Sequence, residues 1–359
     1  MIYLDYQATT PLAPEAREAM LPWLAGPDAP GFANPHSSHR YGRAAAAAVE
    51  AARESVAALL PPGGRVVFTS GATEAINLAI IGSGRKRLAV SAIEHAAVLD
   101  TARFVDPATV ILPVDGAGLV APDADIPEGT GLVAAMQVNN EIGTVQPVAA
   151  LAERARAMGA LFLCDAVQGA GKLAAPEGAD LIALSAHKLH GPKGIGALWV
   201  RDGVELAPLI HGGGQEGGLR SGTLSPALCA GFGVAALLCK TWWESDGQHV
   251  ERLWQKARAL FSDWTLNGSA EQRWHGNLNL RREGLDVARL LSECRTVAIS
   301  AGSACASGSG RPSHVLRALG LSDRDARTAI RIGFGRYTGE DELERAAAAI
   351  NAAVRAQGV

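Results

Sequence analysis

The 359 residues carry 33 Lys and Arg against 36 Asp and Glu, a net charge of −3, with 48% apolar and 19% charged residues. That length accommodates about two domains around a sizeable core, and the near-neutral balance excludes the charge footprint of a nucleic-acid binder. The start lacks the basic and apolar regions of a signal peptide, and the most apolar stretch, 224–239, falls short of the roughly 20 residues of a membrane span.

In chain order, apolar spacings of three and four with Ala-rich faces predict helices over 44–60, 72–81, 96–104 and 149–158. Short β-rich runs predict strands over 66–69, 88–91, 110–113, 132–136, 161–164, 181–185 and 195–200. This alternation reads as α/β, with a mostly parallel sheet covered on both faces. Beyond Lys240 the pattern changes. A polar helical stretch, 242–264, leads to a short run at 277–280, a helix over 286–294 and a run at 297–300. A Gly/Ser loop, 301–310, follows, then 326–333 and an Ala-rich helix over 341–356. These elements read as a smaller α+β domain.

Several strand ends carry chemistry. Thr69-Ser70-Gly71-Ala72-Thr73-Glu74 is a small-residue turn opening a helix, which suits a phosphate and also suits a plain helix cap. Asp165 follows a buried strand, where it can hold a protonated heterocyclic nitrogen or form a salt bridge. Lys188, in Ser185-Ala186-His187-Lys188, lies one βα unit further on and suits a Schiff base, although a surface-loop lysine reads the same way. His187 and His190 form an HxxH pair, but the spacing offers no third metal ligand. The run 211–223 is rich in glycine, either for close approach to a ligand or as a flexible connection. His95 and Asn140 follow two more strands, with capping and turn chemistry as their ordinary alternatives.

The five cysteines, at 164, 229, 239, 294 and 305, form no CxxC pair, so neither a disulfide framework nor a Cys-rich metal site is expected. The reducing cytoplasm is the predicted setting. Four of them sit in apolar or helical contexts and read as packing, whereas Cys305 lies among small polar residues and is a candidate nucleophile. A phosphate cradle, an acid and a lysine at one sheet edge match the three handles of pyridoxal phosphate: phosphate, pyridine nitrogen and aldehyde.

With these residues in view, the chain resembles the cysteine desulfurases of the class V aminotransferase group, which are fold-type I pyridoxal-phosphate enzymes. The resemblance rests on Tyr3-Leu4-Asp5-Tyr6, Ala8-Thr9-Thr10-Pro11, Asn34-Pro35, the 69–74 turn, Glu94-His95 and Val138-Asn139-Asn140-Glu141-Ile142-Gly143. It continues through Ser185-Ala186-His187-Lys188, Arg220-Ser221-Gly222-Thr223 and Gly302-Ser303-Ala304-Cys305, reaching Arg331 and so covering nearly the whole chain.

The resemblance implies a large domain, 13–240, with a mostly parallel seven-stranded sheet that binds pyridoxal 5'-phosphate. It implies a small domain, 1–12 and 241–359, that carries the Cys305 loop. By matched position, Lys188 forms the Schiff base and serves as the base for the substrate α-proton. Asp165 pairs with the pyridinium nitrogen, and His95 stacks on the ring as a third catalytic residue with Lys188 and Cys305. Gln168 and Asn140 lie near the phenolic oxygen. Ala72, Thr73, Ser185 and His187 hold the phosphate, and Thr223 reaches it from the second subunit of a homodimer. Arg331 binds the substrate carboxylate with Asn34. The Cys305 thiolate takes sulfur from L-cysteine, leaving L-alanine and a persulfide for an acceptor or scaffold protein.

The Cys305 loop resembles the longer-loop subgroup, which delivers sulfur to protein acceptors in iron–sulfur cluster assembly or in thiolation of other cofactors and tRNA. The region around 276–280 is only loosely family-like. The chain ends soon after the 341–356 helix, so contact with a scaffold through a longer tail is not expected. A selenocysteine lyase or another class V β-lyase is the nearest alternative, and a non-catalytic sulfur-relay adaptor is a remoter one. No metal, membrane or direct nucleic-acid contact is expected.

Overall fold

The computed structural model describes residues 1–302 and 312–359. The chain opens with β1 (Ile2–Tyr3), α1 (Pro14–Met20) and α2 (Arg40–Ala57). Then come β2 (Gly64–Thr69), α3 (Ala72–Gly82), β3 (Leu88–Ser91), α4 (Ala96–Val105), β4 (Val110–Leu112), β5 (Leu132–Ala134) and α5 (Val148–Ala157). Next are β6 (Leu161–Asp165), β7 (Leu181–Ser185), β8 (Gly196–Arg201), α6 (Pro226–Thr241) and α7 (Trp243–Leu260). The remainder is β9 (Thr265–Leu266), β10 (Asn277–Arg281), α8 (Val287–Glu293), β11 (Val297–Ala298), β12 (Ser300–Ala301), α9 (His314–Ala318), α10 (Asp323–Ala326), β13 (Ala329–Gly333) and α11 (Glu340–Ala356).

Seven strands form one mixed sheet in the order β2-β8-β7-β6-β5-β3-β4. Strands β7, β6, β5, β3 and β4 pair in parallel, whereas β8 runs antiparallel to both of its neighbours. All seven strands expected from the apolar runs are present in it. Every residue of β7 is buried, as helices on both faces require, which is why the run Leu181-Ile182-Ala183-Leu184-Ser185 shows no polar alternation. One face packs on α2 and α6 with Val49, Val56, Phe68, Phe162 and Phe232, and the other on α3 and α4 with Ile76, Ile80 and Leu99.

A second core joins Leu4 to Leu253, Phe261, Ile330, Phe334 and Ile350. It lies against the four-stranded sheet β12-β13-β10-β9 and the two-stranded pair β1-β11. Two expectations shift in this region. The stretch 242–264 is helical only as far as Leu260, and α6 and α7 meet at a 74° bend at Trp242. Phe261 and Trp264 leave the helix to pack edge to face in the core. The run 297–300 is two strands in different sheets, β11 on β1 and β12 on β13. Among the described residues, no single helix is long and apolar enough to cross a membrane.

Candidate active site

In an open α/β sheet the carboxyl ends of the parallel strands face the ligand crevice. Here they open onto a cavity of about 490 Å³. Asp165 is the last residue of β6 and Ser185 the last of β7; Lys188 ends the 3-10 turn that follows, Ala186–Lys188. His95 caps α4, its Nδ1 accepting from the Ala97 amide at 3.1 Å. Ala72 and Thr73 open α3, whose N-cap, Gly71, supplies no side-chain cap, so the first-turn amides face the cavity without one. These residues line the cavity together with Asn140, Gln168, His187 and Arg331.

The segment before α1 straps across the site. Lys188 Nζ donates to the carbonyls of Gln7 at 2.6 Å and Ala8 at 2.8 Å, and Gln168 Nε2 donates to the same Gln7 carbonyl at 2.9 Å. The Thr10 amide and hydroxyl hold the His187 carbonyl at 2.9 and 3.0 Å. The His187 ring meets the Thr9 hydroxyl, whereas His190 Nδ1 donates to the Pro11 carbonyl, so the two histidines have separate partners. Arg331, 1% exposed, donates to Asp5 Oδ1 at 2.7 Å and to the Asn140 carbonyl at 3.1 Å. Among the described residues, its Nε and Gln168 Oε1 are buried without a hydrogen-bond partner.

Burial dominates the electrostatics. It raises the Asp165 carboxyl, against which the neighbouring His95 and Lys188 charges pull it down. Burial and the Lys188 and Lys193 charges push the His187 imidazole down to about 4, leaving it neutral at neutral pH. Cys164, Cys229, Cys239 and Cys294 are buried, and burial raises each thiol, as packing cysteines require.

The family model described as aminotransferase class-V matches residues 2–346. The chain belongs to the class-V aminotransferase family. Within it, the chain is 42% identical to a protein named cysteine desulfurase IscS from Rickettsia akari (strain Hartford), over 96% of this chain and 89% of the relative. It superposes on a solved NifS-like protein with a TM-score of 0.87 and 32% identity, covering 98% of each chain. The structure titled SspA in complex with cysteine matches with a TM-score of 0.81 and 37% identity, over 94% of this chain and 100% of that one.

Two expected site residues lie outside the cavity of the single chain, Thr223 in keeping with its expected reach to a second subunit. Asn34 is exposed and lines a separate hollow with Phe32 and Tyr41. Thr223 is exposed in the glycine-rich run. Cys305 lies outside the described residues. Three contributions were not read from the sequence. Gln7 acts through its backbone carbonyl, which no side-chain pattern announces. Asp5 orients Arg331. Glu74, expected near a helix cap, accepts from the Ser70 amide at 2.7 Å and pairs with Arg220 at 2.7 Å, tying the 211–223 run to the phosphate-sized turn.

Gly196 sits between the two strands that deliver this turn and Ser185, opposite Thr69 and Ser185. A Cβ there would lie 2.5 Å from the Leu184 carbonyl oxygen and 2.7 Å from the Gly71 backbone. Gly196→Ala is therefore expected to cost about 1–3 kcal/mol of stability, measured by denaturant melts. It should also weaken anion binding at the turn, measured by titration.

Glu94, preceding His95, is fully buried, and burial with the nearby Asp165 charge pushes its carboxyl up to about 8. The folded value lies above the ordinary 4.5. Its stabilising share is therefore complete below pH 4.5 and is lost as the pH rises through about 8. The opposing share of His187 is confined below its ordinary 6.5. Between pH 6.5 and 8 the parent should lose Tm as pH rises, and Glu94→Gln should lose less, as differential scanning fluorimetry would record.

Proposed function

We propose that this enzyme is a pyridoxal 5'-phosphate-dependent cysteine desulfurase, converting L-cysteine to L-alanine and a persulfide on Cys305. The observation that carries the reading is a single cavity joining a lysine amine, a buried carboxylate and an uncapped helix start. Those groups fit the aldehyde, the ring nitrogen and the phosphate of the cofactor. The orphaned Gln168 Oε1 and Arg331 Nε fit the same occupant and its substrate.

Lys188 would hold the aldehyde carbon and Asp165 the ring nitrogen, with His95 against the ring. Ala72, Thr73, Ser185 and the neutral His187 would hold the phosphate, and Asn140 and Gln168 the phenolic oxygen. Bound there, the cofactor supplies a sink for the electron pair left when the substrate α-proton departs. The protein does the rest. Arg331 binds the substrate carboxylate, fixed by Asp5 and the Asn140 carbonyl so that one orientation is accepted. Lys188 Nζ moves the proton at the substrate α-carbon. The Cys305 thiolate bonds to the substrate sulfur as its C–S bond breaks. Cysteine plus one thiol thus yields alanine plus one persulfide, with no external oxidant.

Thr223 would complete the phosphate site of a second subunit in a homodimer. Its exposure, and the Arg220–Glu74 pair that anchors its loop beside the turn, support this reading. A large domain of 13–240 and a small domain of 1–12 with 241–359 would separate the core against the seven-stranded sheet from the core around Leu4 and Phe261, which supports that division. A protein acceptor would take the sulfur, and a reducing cytoplasm would keep Cys305 a thiol.

The test is product formation by the cofactor-loaded protein with L-cysteine and a thiol reductant. Equal yields of alanine and sulfide are expected, and Cys305→Ala should lower both about 100-fold or more while retaining the cofactor. Absence of both products from a normally loaded parent would overturn the reading. Turnover of selenocysteine but not cysteine would move it to the lyase.

A further inference from the structure

We propose that a second cavity, behind the strap, binds a small monovalent anion of the halide class, held by Lys172 and Arg336. The cavity measures about 40 Å³. That exceeds the roughly 10–15 Å³ a single water needs and limits the occupant to a few atoms. It lies between the two cores, with Leu189 and Cys239 of the first on one side and Val250 and Phe334 of the second on the other. Gln7 of the strap lines both this cavity and the larger one that holds Lys188.

Lys172 enters the cavity from the turn after β6, where its amide donates to the Gly169 carbonyl at 2.9 Å. Gly171 before it has φ +73°, and a Cβ there would lie 2.7 Å from Cys239 Sγ, so the turn sits directly against α6. Among the described residues, the Lys172 amine has no hydrogen-bond or ion-pair partner. Burial and the Lys188 charge push it down to about 8, so it is still a cation at neutral pH. Arg336 follows β13, its side chain 6% exposed and its guanidinium 4.6 Å from the centre of the Trp242 ring. Its Nε and Nη2 donate to Asp246 Oδ2 at 2.9 and 2.7 Å. Its Nη1 is buried without a hydrogen-bond partner.

The charges around this cavity do not cancel. Lys172 and Arg336 each bring a positive charge, and Asp246 returns one negative charge, which Arg336 already engages. Burial pushes the His190 imidazole down to about 3, so it adds none at neutral pH. Burial also raises the Cys239 thiol, which stays neutral. One positive charge is left over in a poorly solvated space, and a buried charge without a counter-charge is costly. An ammonium carries three donors and no acceptor, and Arg336 Nη1 has donors to spare. A water would satisfy those donors and leave the charge, whereas a monovalent anion meets both needs. Bound there, the anion would join the turn after β6 to the segment after β13 across the two cores.

The experiment compares thermal unfolding of the holoenzyme in sodium chloride and in sodium gluconate of equal ionic strength at neutral pH, for the parent and Lys172→Met. An anion that binds only the folded chain, with a Kd of about 10 mM, raises Tm by about 2 °C at about 100 mM. The parent should gain that much in chloride over gluconate, and Lys172→Met should gain less than a quarter of it. Crystals soaked in sodium bromide should show an anomalous peak in the cavity within hydrogen-bond reach of Lys172 Nζ. Equal Tm in the two salts would overturn the site, and so would a chloride gain that Lys172→Met retains, which would be a general salt effect. An empty or water-filled cavity in the bromide crystal would overturn it too. A bromide peak without any gain in Tm means binding at crystal concentration only and has the same result. Should Lys172→Met fail to fold, the parent's gain and the bromide peak decide together, and the absence of either one overturns the site.

Discussion

Lys188→Ala is expected to lower alanine formation from cysteine by about 10²- to 10⁴-fold, the range set by loss of a positioned proton carrier. The side chain is half-buried between the end of β7 and the strap formed by residues 7 and 8, whose carbonyls accept from its ammonium group. Those two bonds aim the amine into the cavity, so a shorter or neutral residue cannot reach the same point. Stability should change little, because the Gln7 carbonyl keeps its bond from Gln168. Initial rates at saturating cysteine and added cofactor test this, and a rate within threefold of the parent would remove Lys188 from the proton-transfer role.

Asp165→Ala is the second large effect. The carboxylate is 6% exposed at the end of β6, and it accepts from the Val167 amide at 2.9 Å. The Val167 amide and the nearby His95 and Lys188 charges offset part of its burial, and the protonated ring nitrogen of the proposed cofactor would supply a cation facing it. Removing one partner of a buried charge pair costs about 3–5 kcal/mol, or roughly two to three and a half orders of magnitude in cofactor Kd. Equilibrium dialysis against pyridoxal 5'-phosphate measures it. An unchanged Kd would mean that another group meets the ring nitrogen.

The apolar runs made the sheet legible. Segments such as 181–185 are too continuous to be anything but a doubly covered strand, and the residues at their ends converge because parallel strands end on one edge. Direction was less legible. Strand β8 reads like its neighbours yet runs opposite to them, since an all-buried strand has the same composition either way. The strap could not be read at all, because Gln7 and Ala8 act through carbonyls that every residue possesses. Asn34 matches the family motif but lies away from the cavity in one chain, so a match by position did not predict its placement within a single subunit, whereas Thr223 was expected to act on a second one. The break of 297–300 into two sheets depends on partners far away in sequence, Ile2-Tyr3 and Ala329–Gly333, which local pattern cannot supply.

The strap also sets an order of assembly. Residues 7 and 8 precede the large sheet in the chain, yet the segment leading to them is secured by β1 pairing with Val297 and Ala298 and by Asp5 bridging to Gly333. A nascent chain that holds only the large sheet therefore has the Thr10 and Gln168 ties of the strap within reach but not the anchor at its Ile2–Asp5 end. Such long-range closure is slow and comes late. The strap over Lys188 is pinned on both sides only when synthesis has passed residue 333, so the small domain closes on a lysine site that the large sheet has already outlined.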